Sequence, residues 1–242
     1  MNVLSIGNSF SEDAQRYLHA IAKSDSYPLS SVNLFIGGCS LERHYYNILE
    51  NKKEYEIQYN GVNTGFYTTV EEALLNRKWD FITLQQVSQE SVNFDTYEPY
   101  LSTISNYVRK MCPDSKLILH QTWAYEDGSD RLTKELGYHN HKEMLKDIVN
   151  ANNIALKAVN ADGIIRSGEL FDLLLDSGIN LIHRDTFHAK LGIGRYALGL
   201  LWYGYLTKNN ICNISFSDTD EMISDNDIEI VKKGVNKILE KD

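Results

Sequence analysis

Two short segments near opposite ends of the 242-residue chain carry the residue types of a serine nucleophile and its general base. Ser9 follows an apolar run that Gly7 ends, and Asp185 and His188 lie three residues apart near the other end. A serine hydroxyl attacks a carbonyl only when a base removes its proton, and that base needs a third group to fix its tautomer and stabilise its charge. Ser9, His188 and Asp185 supply these three roles.

Each segment also has an ordinary structural interpretation. A serine beside a helix start commonly caps the helix, and so does an aspartate three residues before a histidine. A glycine turn before a helix can also bind a phosphate, but the segment after Gly7 has neither a GxGxxG pattern nor a lysine. Either segment alone therefore favours a structural role, whereas the two together, in this order in an α/β chain, favour nucleophilic catalysis.

The elements that must position these residues are short apolar runs that alternate with helical stripes, which is typical of a parallel sheet covered by helices on both faces. The predicted strands are 3–6, 32–36, 81–84 and 116–120, with 164–165 or 181–182 as a fifth. The predicted helices follow Glu12 and lie at 70–76, 97–111, 139–152, 193–208 and 225–240. Since no repeat or Pro/Gly-rich linker interrupts them, residues 1–242 are expected to form one domain.

Ligands bind beyond the carboxyl ends of the strands in such a sheet. The first strand leads to Ser9, where the free N–H groups of a helix start favour a developing negative charge. The fourth strand leads to Trp123 and Tyr125, which would either line a substrate pocket or lie in the core. The stretch 47–69 is rich in Tyr and Asn, and its tyrosines are expected to pack against the protein or to form a carbohydrate-facing rim near the pocket mouth.

The composition argues against several other classes of protein. The net charge is −9, from 24 basic and 33 acidic residues, and no run of lysine or arginine occurs, so a nucleic-acid partner is not expected. The three cysteines form no CxxC pair, which argues against a disulfide framework or a structural zinc site. The N-terminus does not read as a signal peptide and no stretch is long enough for a transmembrane helix, so a cytoplasmic location without a membrane partner is expected.

Three segments resemble the SGNH/GDSL hydrolase superfamily. Residues 7–11, Gly-Asn-Ser-Phe-Ser, look like its first block, Gly-Asp-Ser-Leu-Ser, and residues 185–188 look like its last block, Asp-x-x-His. Gly38 follows the second strand, where that superfamily has a glycine of the oxyanion hole. Together with 84–86 and 192–196, the first block is most similar to a poorly characterised bacterial branch.

The resemblance implies a three-layer α/β/α, flavodoxin-like fold with a central parallel sheet of about five strands. It also implies ester hydrolysis by a catalytic triad of Ser9, Asp185 and His188, with no metal or other cofactor. One departure is Asn8, which replaces the usual aspartate beside the nucleophile and so removes a charge while keeping a short polar side chain.

A second departure concerns the oxyanion hole. The superfamily's third block normally ends Gly-x-Asn-Asp and its asparagine donates to the oxyanion, but here residues 85–89 are Gln-Gln-Val-Ser-Gln. Because a glutamine amide carries the same N–H donors on a longer arm, Gln85 is predicted to join the N–H groups of Ser9 and Gly38. The alternatives are Gln86 and Gln89. The predicted substrate-binding residues are Asn8, Gln86, Trp123 and Tyr125.

The leading hypothesis is a serine esterase acting on a small-molecule or carbohydrate ester, with removal of acetyl groups from a carbohydrate as its narrower form. An acyl thioesterase or lipase would need an apolar channel beyond Ser9, which the polar strand ends do not indicate. A noncatalytic carbohydrate-binding protein that keeps the fold is an alternative from another class. A nucleotide- or flavin-binding protein is disfavoured by the missing phosphate motif.

Overall fold

One seven-stranded sheet forms the centre of the protein in the computed structural model, which describes residues 1–241. The strands are β1 (Asn2–Gly7), β2 (Ser30–Phe35), β3 (Tyr55–Tyr59), β4 (Val62–Thr68), β5 (Phe81–Leu84), β6 (Lys116–His120) and β7 (Gly163–Ile165). Their order across the sheet is β4-β3-β2-β1-β5-β6-β7. The five strands from β2 to β7 in this order pair in parallel, which confirms the central parallel sheet predicted from the sequence. The fifth strand forms at the first of the two positions considered.

Nine α-helices surround the sheet within the described residues. They are α1 (Ser9–Gln15), α2 (Leu18–Ser24), α3 (Leu41–Leu49), α4 (Val70–Leu75), α5 (Tyr100–Met111), α6 (His141–Ala158), α7 (Ser167–Asp176), α8 (Ile193–Thr207) and α9 (Asp225–Leu239). A short 3₁₀ turn lies at Phe94–Thr96 and a single π-helical turn at Arg131–Glu135. No helix of residues 1–241 combines the length and the apolar character needed to cross a bilayer.

Two hydrophobic cores lie on the two faces of the sheet, so the molecule has three layers. On β1, Val3 belongs to one core and its neighbour Leu4 to the other, as the period of two in a strand requires. The core on the Val3 side is built mainly on α8, which is buried around nearly its whole circumference and contacts α1, α2, α7 and α9. This core holds α1, and with it Ser9, against the sheet.

The stretch 47–69 forms the end of α3 and the β3–β4 hairpin, which extends the sheet at its β2 edge. Tyr55 is fully buried, whereas Tyr59 and Tyr67 are exposed. Among the described residues, none of this stretch lines the cavity at Ser9, so the prediction that it lies at that pocket mouth is wrong. The packing interpretation holds for Tyr55.

The helix predicted after Glu12 is divided into two helices, α1 and α2, with a break between them. The turn of the β3–β4 hairpin packs there: a Cβ on Gly61 would lie 2.3 Å from the carbonyl oxygen of Arg16, and Gly61 has a φ of +79°. Only glycine accommodates both the close approach and the left-handed backbone. This contact joins residues 45 positions apart, so the local pattern does not contain it.

Candidate active site

Ser9 is the first residue of α1 and lies directly beyond the carboxyl end of β1. Asn8 caps the helix, because its Oδ1 accepts a hydrogen bond from the N–H of Phe10 while its own N–H donates to Oγ of Ser11. Gly7 is required at this turn, since a Cβ there would lie 2.2 Å from Oγ of Ser11. The capping role is therefore filled by Asn8 and Ser11, which leaves the hydroxyl of Ser9 for other contacts.

His188 links Ser9 to Asp185 through its two ring nitrogens. Nε2 lies 2.8 Å from Oγ of Ser9, and Nδ1 lies 2.8 Å from Oδ2 of Asp185. The other carboxylate oxygen of Asp185 accepts a hydrogen bond from the backbone N–H of His188, also at 2.8 Å. A carboxylate at Nδ1 places the proton of a neutral imidazole on that nitrogen, so Nε2 is left to accept the proton of Ser9.

The carboxyl group of Asp185 favours its ionised form. Burial alone would raise its pKa, but hydrogen bonds from the ring and the backbone N–H of His188, together with the charge of a protonated ring, outweigh burial and hold the pKa below its ordinary value. An ionised carboxylate at this position stabilises the imidazolium that forms when His188 takes a proton.

The loop 183–189 is anchored to α1 through Asp13, whose side chain is fully buried. Both oxygens of Asp13 accept hydrogen bonds from Nη1 of Arg184, at 2.9 and 3.0 Å, and Oδ2 also accepts from the N–H of Ala189 at 3.0 Å. Arg195 of α8 donates from Nε to the same carboxylate at 2.8 Å. The residues on both sides of the Asp-Thr-Phe-His segment are thus bonded to the helix that begins at the serine.

Ser9 and His188 open onto a cavity of about 350 Å³. Gly37 and Gly38 border it after β2, and Gly38 has a φ of +62°. The N–H groups of Ser9 and Gly38 donate no hydrogen bond to any described residue. Two residues that border the cavity therefore have free backbone donors. Other residues that border the cavity are Val87, Ser88, Gln89, Arg131 and Phe187.

Comparison with known proteins identifies the family. A family described as a domain of unknown function, DUF4886, matches residues 2–236. The chain belongs to the DUF4886 family. A crystal structure of a DUF4886 protein from Bacteroides uniformis is 35% identical, with a TM-score of 0.93, over 100% of this chain and 96% of that chain. The sequence matches none of the curated proteins.

Two more distant solved structures share the fold of this DUF4886 member. A protein from Slackia heliotrinireducens, provisionally described as an SGNH hydrolase, is 20% identical with a TM-score of 0.62, over 84% of this chain and 97% of that one. An acetyl xylan esterase from Geobacillus stearothermophilus is 12% identical with a TM-score of 0.52, over 89% and 95%. At these identities the likeness shows the fold, so the three-layer SGNH fold implied by the sequence blocks is confirmed.

Gln85 of this DUF4886 member does not border the cavity, so its predicted role as the third oxyanion donor does not fit the geometry. Its Nε2 donates to Oδ1 of Asn8 at 2.7 Å, and its Oε1 lies 2.7 Å from Nδ1 of His120. Burial lowers the pKa of His120 to about 3, so the ring is neutral; its Nδ1 donates to Gln85 while Nε2 lies 3.0 Å from Oγ of Ser167. Gln85 is a buried link between the helix cap and His120.

The other predicted polar substrate contacts are also engaged within the protein. Asn8 borders the cavity, but its Nδ2 donates to the carbonyl of Cys39. Gln86 does not border the cavity: its Oε1 accepts from the N–H of Leu41, and its Nε2 donates to the carbonyl of Thr96. These two amides brace the loops that follow β2 and β5.

The aromatic candidates lie behind the cavity rather than on its wall. Trp123 is fully buried, stacks on Phe10 with ring centroids 4.0 Å apart, and donates from Nε1 to the carbonyl of Phe187. Tyr125 is buried and its hydroxyl lies 2.8 Å from Oγ of Ser88. Neither residue borders the cavity among those described. Of the two alternatives, lining the substrate pocket or lying in the core, the structure shows the second for both residues.

Sequence reasoning missed three residues of the site. Asp13 looks like an ordinary polar residue of a first helical turn, although an acidic residue on the apolar side of a helix is a signal of a buried ion pair. Phe187 lies within the Asp-x-x-His block, at a position that the block leaves open. Arg131 begins the π-helical turn Arg131–Glu135, far along the chain from every block, and nothing in the local sequence indicates its position at the cavity.

Proposed function

We propose that the chain is a serine hydrolase that cleaves carboxylic esters through an acyl-enzyme at Ser9. The observation that carries the proposal is the continuous hydrogen-bond chain from Ser9 through His188 to Asp185, at the wall of an open cavity. A base whose second nitrogen is held by a carboxylate is the arrangement that activates a serine hydroxyl. The SGNH fold agrees with this chemistry but does not by itself imply it.

The proposed reaction begins when Nε2 of His188 takes the proton of Ser9 as Oγ attacks the ester carbonyl. The resulting imidazolium, stabilised by Asp185, gives that proton to the leaving alcohol, and the acyl group stays on Ser9. His188 then activates a water that attacks the acyl-enzyme, which releases the acid and returns the proton to Ser9.

The oxyanion of each tetrahedral intermediate is proposed to accept from the N–H groups of Ser9 and Gly38, which have no other acceptor among the described residues. Gln89 is proposed as the third donor, because it is exposed and borders the cavity, whereas Gln85 and Gln86 are engaged elsewhere. Each such donor contributes about 3 kcal/mol to lowering the barrier.

The substrate is proposed to carry a short acyl group, acetyl first, on a polar alcohol such as a carbohydrate. The small size of the cavity and the polar side chains of Ser88 and Gln89 support a short, polar substrate over a long acyl chain. One structure of the same fold is an acetyl xylan esterase.

The test is labelling by a fluorophosphonate probe together with hydrolysis of nitrophenyl acetate. Labelling and turnover are expected in the wild type and in Ser217→Ala, which changes an exposed serine outside the cavity, and are expected to vanish in Ser9→Ala and His188→Ala. A folded wild type that neither labels nor hydrolyses any ester would contradict the proposal and favour a noncatalytic binding protein.

A further inference from the structure

Arg131 is exposed at the rim of the cavity, and its guanidinium lies over the ring of Phe187 at 4.1 Å from the centroid. Phe187 in turn packs against the ring of His188, with centroids 3.9 Å apart. Stacking restricts a guanidinium to one plane and leaves its N–H edge free to donate to a planar anion. The packing on Phe187 thus holds the Arg131 side chain near His188, and its N–H groups can still donate hydrogen bonds.

No salt bridge joins Arg131 to a carboxylate of residues 1–241. Most other arginines of the chain do form one: Arg16, Arg43, Arg166, Arg184 and Arg195. Arg131 also acts on Tyr125 behind the cavity: burial raises the pKa of Tyr125, whereas the charge of Arg131 and a hydrogen bond from its side chain lower that pKa.

The cavity wall itself carries no carboxylate among the described residues. Arg131 and His188 are its ionisable side chains, and the rest of the wall is neutral. An anionic ligand would therefore meet one positive charge and no carboxylate on the wall, while the carboxylate of Asp185 lies behind His188, at its Nδ1.

The position of Arg131 indicates which part of an ester it would meet. The leaving oxygen must come within hydrogen-bond distance of Nε2 of His188, because that nitrogen supplies its proton. Groups packed against the His188 ring therefore border the alcohol part of the ester, and Phe187 with Arg131 above it is such a group.

We infer that Arg131 binds a carboxylate on the alcohol part of the substrate, so that the enzyme prefers acyl esters of hydroxy acids or sugar acids over neutral esters. This inference rests on the proposed ester hydrolysis at Ser9. It adds a recognised acidic group to the substrate class, and it makes Arg131 a specificity-determining residue.

The experiment compares two acetate esters of one nitrophenol that carries a second substituent, a free carboxylate in one ester and its methyl ester in the other. The wild type is expected to favour the acid by about tenfold in kcat/KM, as a charge-assisted hydrogen bond to a partly exposed arginine allows. Arg131→Gln is expected to bring the ratio of the two kcat/KM values close to one. Added salt is expected to lower the wild-type ratio, because it screens an exposed charge.

Arg77→Gln is the matched control, because Arg77 also lies over an aromatic ring, at 5.2 Å from Trp79, but borders a different cavity near the β3–β4 hairpin. It changes the net charge equally and is expected to leave the ratio unchanged. A wild-type ratio of one or less, or an equal loss of the ratio in Arg77→Gln, overturns the inference.

A second pair of esters places the carboxylate on the acyl part. One ester is nitrophenyl succinate with its second carboxylate free, and the other is the same nitrophenyl ester with that carboxylate converted to a methyl ester. An Arg131-dependent preference in this pair alone overturns the assignment to the alcohol part.

Failure of the proposed function is distinguishable, because it removes fluorophosphonate labelling and turnover of the neutral esters as well. In that case, binding of the free carboxy-nitrophenol still tests the site: binding that Arg131→Gln abolishes supports it, and equal binding by both proteins overturns it.

Discussion

Asp185 accepts hydrogen bonds from His188 through both of its oxygens. It should therefore determine the tautomer of the ring and contribute little to the stability of the protein. In Asp185→Asn, an amide N–H placed at Nδ1 favours a proton on Nε2, which can then no longer accept the proton of Ser9. We predict a loss in kcat of at least about 100-fold on nitrophenyl acetate, with little change in the thermal midpoint.

The control for this prediction is Asp127→Asn. Asp127 holds His141 through the same pair of contacts, from the ring Nδ1 at 2.8 Å and from the backbone N–H, but on a histidine that does not border the cavity. It should leave kcat within about twofold. If Asp185→Asn were as active as this control, another acceptor would have to orient His188.

Two glutamines that follow β5 are assigned different roles: Gln89 is the proposed oxyanion donor, and Gln85 is a buried structural amide. Gln89→Ala should lower kcat by about 100-fold without a change in the free energy of unfolding, since the residue is exposed. Gln85→Leu should instead lower that free energy by about 1–3 kcal/mol, because it leaves Asn8 and His120 without a buried partner. Kinetics and urea unfolding on both variants check the assignment, and it fails if the two effects are exchanged.

The residues of the hydrogen-bond chain could be proposed from the sequence because each lies next to a recognisable strand end or in a short block. Gln85 was assigned wrongly for a physical reason. The direction of a side chain at a strand end depends on the partner that receives it, and for Gln85 that partner is His120, 35 residues away.

On the scale of elements, α1 and the loop 183–189 depend on each other through Asp13. Removing its charge in Asp13→Asn leaves Arg184 and Arg195 without their buried counter-charge. We predict that the free energy of unfolding falls by about 3–5 kcal/mol. Because the loop also carries His188, the rate of fluorophosphonate labelling of the folded protein should fall about tenfold or more.

Asp220→Asn is the control for this ion cluster, because Asp220 pairs with Arg16 and Arg195 on the same side of the protein but is 30% exposed. It should cost about 1 kcal/mol or less and leave labelling unchanged. A variant Asp13→Asn that loses stability but labels at the wild-type rate would show that the cluster supports the fold without positioning His188.

The five parallel strands and most of the long helices could be predicted from periodicity, but the hairpin strands β3 and β4 and several element boundaries could not. The helix expected at 97–111 begins at Tyr100, directly after Pro99, because residues 97–99 form a turn that follows the 3₁₀ turn at Phe94–Thr96. The helices α3 and α7 were not predicted. In α7 the apolar residues are nearly continuous, so a period of 3.6 is hard to recognise.

Over the whole molecule, three buried histidines connect the packing to the pH dependence of stability. Burial lowers the pKa of His44 and His120 to about 3 and that of His183 to about 4. The unfolded chain binds protons at these histidines below about pH 6.5, whereas the folded chain does not. Folding is therefore opposed increasingly as the pH falls from 6.5 toward these folded values.

We predict that each of these histidines lowers the free energy of unfolding by about 2 kcal/mol between pH 7 and pH 5. His120→Asn should be less stable at pH 7 but should lose about 2 kcal/mol less than the wild type over this interval, because asparagine does not titrate. His139→Asn, at an exposed histidine, should keep the wild-type dependence. Comparing variants by urea unfolding cancels the contribution of carboxyl groups such as Glu12, whose pKa burial raises. Equal pH dependence in His120→Asn and the wild type would mean that His120 is accessible to protons in the folded protein, and that the link from Asn8 through Gln85 to His120 opens.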